Sequence, residues 1–461
     1  MRRALWHTID HRNGAKRQLW NDGLSVDLGE LRTGSCFYNR IDCLRGRSVL
    51  IATQSQLAAA IALVELDGVA GRLILCPPDL SADHMSAIMT RADVTAIVSD
   101  RQGSDIAQPG TDIFTLRTSR IVPASQPARD TATDWVLLTS GTAGVPKMVA
   151  HTLSTLMGAI DSEHAPKTYS TWATFYDVRR YGGLQILLRS LAGGGSMVMS
   201  GTGQPPADFL AEAIARGATR MSGTPSHWRR VLMSPAARQN APDYIRLSGE
   251  IADQAILDSL KAFFPHAQIA HAFASTEAGV AFEVQDGLPG FPAALLDRDD
   301  GCVRMKLEEG SLRIRSSRAA RRYLGNEGVL RDEDGFVDTG DMIERRGDRC
   351  YFVGRRGGII NVGGLKVHPE EIEAVINRHP CIELSRVAAR RNPITGAIVV
   401  AEVVVRDSQS STASPREIEA LKMDIVAFCR QDLPPHKVPS AIRIVPSLEV
   451  AASGKLVRAV A

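Results

Sequence analysis

From about residue 47 the chain alternates short aliphatic runs with helical patterns, and this alternation constrains the fold more than any other feature. Ser48-Val-Leu-Ile-Ala52 has the length and residue types of a buried strand, and Ser55 to Glu65 follows as a helix with Ser55 placed to cap it. Arg72-Leu-Ile-Leu-Cys76 is again a strand, Ser81 to Arg91 a helix and Ala96-Ile-Val-Ser99 a strand. A strand–helix–strand succession with such short connections places the strands parallel, with helices covering the faces of the sheet. The pattern recurs from Leu184 to Met199, where an apolar helix stops at Gly193-Gly-Gly195 and feeds the strand Ser196 to Met199. An α/β fold follows, built on mostly parallel sheets flanked by helices.

After residue 286 the texture changes. Short strands punctuated by Gly and Asp, Ser311-Leu-Arg-Ile-Arg315 and Asp334-Gly-Phe-Val337, predict an antiparallel portion. The Arg-, Gly- and Asp-rich stretch Glu344 to Arg356 reads as a domain boundary and linker. It divides the chain into a large N-terminal domain, residues 1–353, and a small mobile α+β domain, residues 354–461. The small domain carries helices at Pro369 to Arg378 and Pro415 to Gln431, with the apolar strand Ala397 to Val405 between them. A length of 461 residues suits two such lobes.

Charge and cysteine usage exclude several function classes. Lys and Arg number 54 against 51 Asp and Glu, which leaves little net field for nucleic acid or an anionic membrane. The seven cysteines are scattered without a C-x-x-C pair, so neither a disulfide framework nor a zinc cage is expected, and the reading is cytoplasmic. The apolar run from Leu57 stops at Glu65, and none reaches membrane-spanning length. His7 and His11 have helical spacing but no third ligand nearby, and Cys350 has no basic partner implied.

The strongest chemical signal is Leu137-Leu-Thr-Ser-Gly-Thr-Ala-Gly-Val-Pro-Lys147. An apolar strand runs into a loop with three hydroxyls (Thr139, Ser140, Thr142), two glycines (Gly141, Gly144) and then Lys147. Small residues let backbone N–H groups converge on an anion, hydroxyls add donors and the lysine adds charge, so the loop is a phosphate cradle by composition. It is not a Walker A loop: Met148 follows the lysine, and Pro146 would break a helix there.

This loop resembles the signature of the adenylate-forming enzymes, the superfamily of acyl-CoA synthetases, peptide-synthetase adenylation domains and luciferases. Further segments are similar to that family's motifs, in its order. Arg246-Leu-Ser-Gly-Glu250 resembles the strand end that contacts adenine, and Phe273-Ala-Ser-Thr-Glu277 the Y-G-x-T-E motif. Asp338-Thr-Gly-Asp341 resembles the ribose-binding T-G-D. Gly354 to Lys366 resembles the hinge and loop that open the small domain, and Ser453-Gly-Lys455 the terminal S-G-K.

The resemblance implies an AMP-forming acid–CoA ligase that uses ATP, Mg2+ and coenzyme A. Lys455 would be the adenylation lysine, Thr276 a phosphate contact and Glu277 the magnesium ligand. Thr139, Ser140, Gly141, Thr142, Gly144 and Lys147 would hold the pyrophosphate end, and Ser248, Gly249, Glu250, Phe273, Ala274, Ser275, Asp341 and Arg355 the AMP portion. The small domain would then rotate about Arg355-Arg-Gly357, so that Gly363, Gly364 and Lys366 admit the thiol. Electrostatics supports the scheme: a carboxylate attacking the α-phosphorus brings two anions together, and Lys455 with Mg2+ offsets their repulsion.

The acid pocket is expected from Phe175, Tyr181, Gly182, Ser222, Gly223 and His227, with an aryl or small-to-medium acyl acid as substrate. Arg179 stands where the family often has a histidine, so Arg179 or Arg180 is a candidate for a polar or second carboxyl group, surface arginines being the alternative. Gly357, with Gly358 beside it, stands where relatives of that family usually carry Asp or Lys, which implies a looser hinge. Two other outcomes stay open: delivery to a carrier-protein pantetheine thiol or an amine, and a catalytically silent nucleotide-binding relative. No nucleic acid or membrane partner is expected, and the chain is expected as a monomer or homodimer.

Overall fold

The computed structural model describes residues 4–9, 16–101, 110–118, 120–139, 144–162, 170–239, 241–298, 301–325, 328–392, 396–406, 414–451 and 455–457. Two large sheets dominate the first lobe. One runs, edge to edge, Arg322–Leu324, Lys147–Thr152, Asp134–Thr139, Arg72–Leu75, Ser48–Ile51, Ala96–Ser99 and Asp112–Thr115. The other runs Gly279–Val284, Gln268–Ser275, Tyr244–Ser248, Ala218–Gly223, Thr171–Thr174, Met197–Met199, Gln18–Asn21 and Leu24–Asp27. The inner strands of both sheets are parallel, as the alternation predicts; antiparallel strands close both edges of the second sheet and one edge of the first, whose other edge strand, Asp112–Thr115, pairs parallel.

The helix Gln56–Leu66 packs among strands of both sheets, and all of its residues are buried. That location explains its largely apolar sequence, since a helix covered on every side has no polar face. Ser55 caps it as expected, accepting from the N–H groups of Leu57 and Ala58. Its one acid, Glu65, is buried but satisfied, accepting from Ser35 Oγ at 2.5 Å and the Cys36 N–H at 2.9 Å.

The antiparallel portion is a five-stranded sheet in the order Phe291–Pro292, Arg349–Arg355, Val337–Arg346, Ser311–Ser316 and Val303–Glu308. Its central hairpin corrects the expected linker at Glu344 to Arg356. The basic run is two paired strands turning at Gly347, whose φ of +62° permits the reversal, and Arg349 is held by Asp286 at 2.8 Å. Burial along the two strands does not alternate, since Glu344, Arg345 and Arg346 are all exposed while Arg349 and Cys350 are both buried, so the sequence shows no two-residue strand pattern there. Pairing continues through Gly354 and Arg355, so the chain leaves this sheet only beyond Arg355.

The last segment forms its own core. The strands Ile382–Asn392, Gly396–Val405 and Ala441–Ile444 pack with the helices Pro369–Ile376 and Pro415–Asp432. A two-stranded hairpin, Ile360–Val362 with Leu365–Val367, lies beside them. Among the described residues, no helix is long and apolar enough to cross a membrane.

Candidate active site

Parallel strands deliver the candidate residues to one side of the second sheet. Tyr244–Ser248, Ala218–Gly223, Thr171–Thr174 and Gln268–Ser275 run in the same direction. Their carboxyl ends therefore lead directly into Gly249-Glu250, Thr224 to His227, Phe175-Tyr176 and Thr276-Glu277. Open parallel sheets bind ligands outside such strand ends.

Asp341 occupies the centre of the charged group. It is 9% exposed, and its Oδ1 accepts from Arg355 Nε at 3.0 Å. Its Oδ2 is buried and has no hydrogen-bond partner. Burial raises the carboxyl above its usual value, against the opposing pull of Arg355 and Lys455. A buried acceptor without a donor costs stability, so its retention points to a donor brought by a ligand. A ribose hydroxyl has the right chemistry.

Lys455 comes from the far end of the chain. A Cβ placed on Gly249 would stand 3.4 Å from Lys455 Cε, so the lysine stem lies against that glycine, whose φ is +84°. Lys455 as a whole is exposed. Desolvation, followed by Arg355 and Arg180, lowers its pKa, while Glu250 and Asp341 favour the charged form. Lys455, Asp341, Arg355, Glu250 and Arg180 thus form one electrostatic cluster drawn from positions 180 to 455.

Thr276 and Glu277 lie in the turn after the strand Gln268–Ser275. Ser275 Oγ accepts from the Ala278 N–H at 2.9 Å, and the Glu277 carbonyl accepts from the Ala320 N–H at 2.8 Å. His151, absent from the sequence-derived candidates, holds this turn from the opposite sheet. It is fully buried, and burial depresses its pKa to about 4. The neutral ring bonds the Thr276 carbonyl through Nε2 at 2.7 Å and Thr155 Oγ1 through Nδ1 at 2.9 Å. Only its place at the end of an apolar strand could have drawn attention to it.

Of the phosphate cradle, Ser140, Gly141 and Thr142 lie outside the described residues, as do Ser453 and Gly454. Thr139 ends its strand in register with Lys147, and Gly144 has a φ of +109°. The Lys147 ammonium stands 5.0 Å from the centre of the Tyr323 ring. Gly363 and Gly364, both at positive φ, form the two-residue turn between Val362 and Leu365, with the Gly364 N–H donated to Asn361 Oδ1 at 2.8 Å. Hairpin geometry alone therefore explains this glycine pair. Lys366 is exposed on the same hairpin. Gly357 has open space around it and no positive φ, so nothing in this conformation demands glycine there.

The expected acid-pocket residues fall into two groups. Phe175 stacks on His227, with ring centres 4.9 Å apart and planes at 13°, and Gly223 leaves room for Phe175, since a Cβ there would meet its ring at 2.6 Å. His227 also caps the helix Pro225–Leu232 through Thr224, and burial lowers its pKa to about 3, so it is neutral. Tyr176, another residue outside the sequence-derived candidates, donates to the Ser248 carbonyl at 2.6 Å, and its ring faces Gly182. Ser222 is spent on the Arg246 carbonyl, Tyr181 packs in the core, and Phe273 stacks on Phe352 at 5.0 Å. Ala274 packs against the core of the first lobe.

The two arginines separate clearly. Arg179 is 1% exposed and folds back onto Asp177, with Nε–Oδ1 at 2.8 Å and NH2–Oδ2 at 2.5 Å, and onto the carbonyls of Thr53 and Gln54. This corrects its candidacy as a substrate group: its donors are consumed by the fold. Arg180 instead pairs with Asp79 at 2.6 and 2.7 Å, and its charge reaches Lys455.

This arrangement agrees with comparisons to known proteins. Residues 32–324 match the AMP-binding enzyme family, and residues 371–455 match the AMP-binding enzyme C-terminal domain. A 2-succinylbenzoate–CoA ligase of Bacillus cereus is 23% identical over 444 residues, covering 90% of this chain and 87% of the relative. An anthranilate CoA ligase solved with anthranoyl-AMP superposes with a TM-score of 0.79 at 16% identity, over 98% of this chain and 95% of that one. An amide bond synthetase from Marinactinospora thermotolerans superposes with a TM-score of 0.74 at 19% identity, over 98% and 96% of the two chains. The chain belongs to the AMP-binding enzyme family of adenylate-forming ligases.

Proposed function

We propose that this protein activates a carboxylic acid with ATP, releasing pyrophosphate, and passes the acyl group from acyl-AMP to coenzyme A. The observation that carries the reading is the convergence of Lys455 and the half-satisfied carboxylate of Asp341 in one cleft. Asp341 Oδ2 accepts a ribose hydroxyl, and Arg355 holds the other oxygen and so fixes the carboxylate plane. Lys455 offsets the charge that grows as the acid's carboxylate oxygen attacks the α-phosphorus and pyrophosphate departs. Glu277 suits Mg2+, which takes one or two protein carboxylates and fills its shell with phosphate oxygens and water. Bound there, Mg2+ supplies charge neutralisation at the phosphates.

The acid is an aryl or small-to-medium acyl acid. The aromatic wall of Phe175 and His227 supports this, as do relatives named for 2-succinylbenzoate and anthranilate. Transfer to an amine, favoured by the amide bond synthetase that shares the fold, or to a carrier-protein thiol is the second reading. Incubation with ATP, Mg2+ and a panel of acids, with CoA, an amine or a pantetheinylated carrier as acceptor, tests both. Acyl-CoA formation supports the first; acylation of only an amine or a carrier replaces it.

A further inference from the structure

We propose that Glu250 is a positioning residue that seats Lys455 for adenylation, one carboxylate joining the two lobes. The inference rests on the adenylation reading above and assigns Glu250 a task different from an adenine contact. Its Oε2 accepts from the Ser226 N–H at 2.9 Å, in the first turn of the helix Pro225–Leu232. Its Oε1 accepts from the Leu456 N–H at 3.0 Å, on the residue next to Lys455. Both oxygens are therefore engaged, one on each lobe.

Neighbouring geometry makes the same loop a seat. Gly249 receives the Lys455 stem, and the negative charge of Glu250 favours the ammonium. Three residues on, Asp253 Oδ2 accepts from Arg229 at 2.6 Å and from Asn377 Nδ2 at 3.3 Å. Asp253 and Asn377 are both buried, so this second attachment to the small lobe is dry and directional. Glu250 differs from it by holding the backbone beside the catalytic lysine itself. Losing that bond leaves the lysine present but poorly aimed, and misplacement by about 1 Å can lower a rate about a hundredfold.

The test compares the full-length parent with Glu250→Gln, which keeps one acceptor, and Glu250→Ala, which keeps none. Pyrophosphate exchange reads the first half-reaction, using the acid that gives the parent its fastest exchange. Conversion of the matching synthetic acyl-AMP and CoA to thioester reads the second. The exchange kcat is expected to fall about ten- to hundredfold in Glu250→Ala and less in Glu250→Gln. The KM for ATP and the rate from supplied acyl-AMP stay within about twofold of the parent. Equal loss of both half-reactions, or unchanged exchange, overturns the proposal.

Hydrogen–deuterium exchange of the ligand-free C-terminal peptide tests the contact without any substrate. Glu250→Ala is expected to speed exchange at the Leu456 amide, and unchanged protection overturns the proposal. Should the parent activate no acid, the reaction reading fails and the Leu456 amide still decides whether Glu250 holds this segment.

Discussion

Replacing Asp341 with Asn separates the cost of the unfilled site from its use. Asn has nearly the same shape and can keep Arg355 on its carbonyl oxygen, 3.0 Å away in the parent, while turning an amide donor toward the cleft. The lost feature is the charged acceptor Oδ2, which lacks a protein partner. A hydrogen bond to a charged group contributes about 1.5–3 kcal/mol, and about 1.4 kcal/mol is a decade in rate or affinity. One lost ribose contact therefore predicts a roughly ten- to hundredfold fall in kcat/KM for ATP, measured by pyrophosphate exchange. Stability moves the other way. The folded carboxyl titrates above its unfolded value near 3.8, so its ionised form is disfavoured by the fold and destabilises it once pH exceeds the folded value. The ligand-free variant should melt no lower than the parent at neutral pH, with any advantage fading as pH falls toward the unfolded value. It should also lose most of the stabilisation that ATP gives the parent. Unchanged ATP dependence, or a variant clearly less stable than the parent, refutes this account of Asp341.

Other perturbations have distinct signatures. Lys455→Ala should abolish pyrophosphate exchange while sparing thioester formation from supplied acyl-AMP; equal loss of both would remove its assigned role. Because the Lys455 ammonium titrates below its ordinary value of 10.5, exchange should decline on the alkaline side before an ordinary lysine loses its proton, and Lys455→Arg should move that limb upward whatever its absolute rate. Arg179→Ala should destabilise the large lobe by about 3–5 kcal/mol, seen in denaturant titration, because it leaves Asp177 without its partner. The order of preference among acids should stay as in the parent; a changed order would return Arg179 to the substrate.

What could be read from sequence depended on how local its cause was. The cap at Ser55 and the strands flanking its helix follow from short-range pattern, and the structure places them as expected. The basic hairpin at Val337–Arg355 was obscured because burial near its turn does not alternate: Arg345 and Arg346 are both exposed, and Arg349 is buried against Asp286, 63 positions away. Arg179 looked available because its carbonyl acceptors, Thr53 and Gln54, lie more than a hundred residues away. His151 shows the same limit, since its partner Thr276 is 125 positions distant. Glu250 is the extreme case: its contact with Leu456 spans 206 positions, and no motif spacing encodes it. Motif order could assemble the residues of the cleft, but the partner of each group came only from the fold.

The most direct measurement is acid-dependent exchange of labelled pyrophosphate into ATP by the purified full-length protein, across aryl and short-to-medium acyl acids. The account predicts exchange with at least one acid, dependence on Mg2+, and AMP with acyl-CoA as products once CoA is added. ATP binding without exchange for any acid, or cleavage to ADP and phosphate in place of AMP and pyrophosphate, would contradict it.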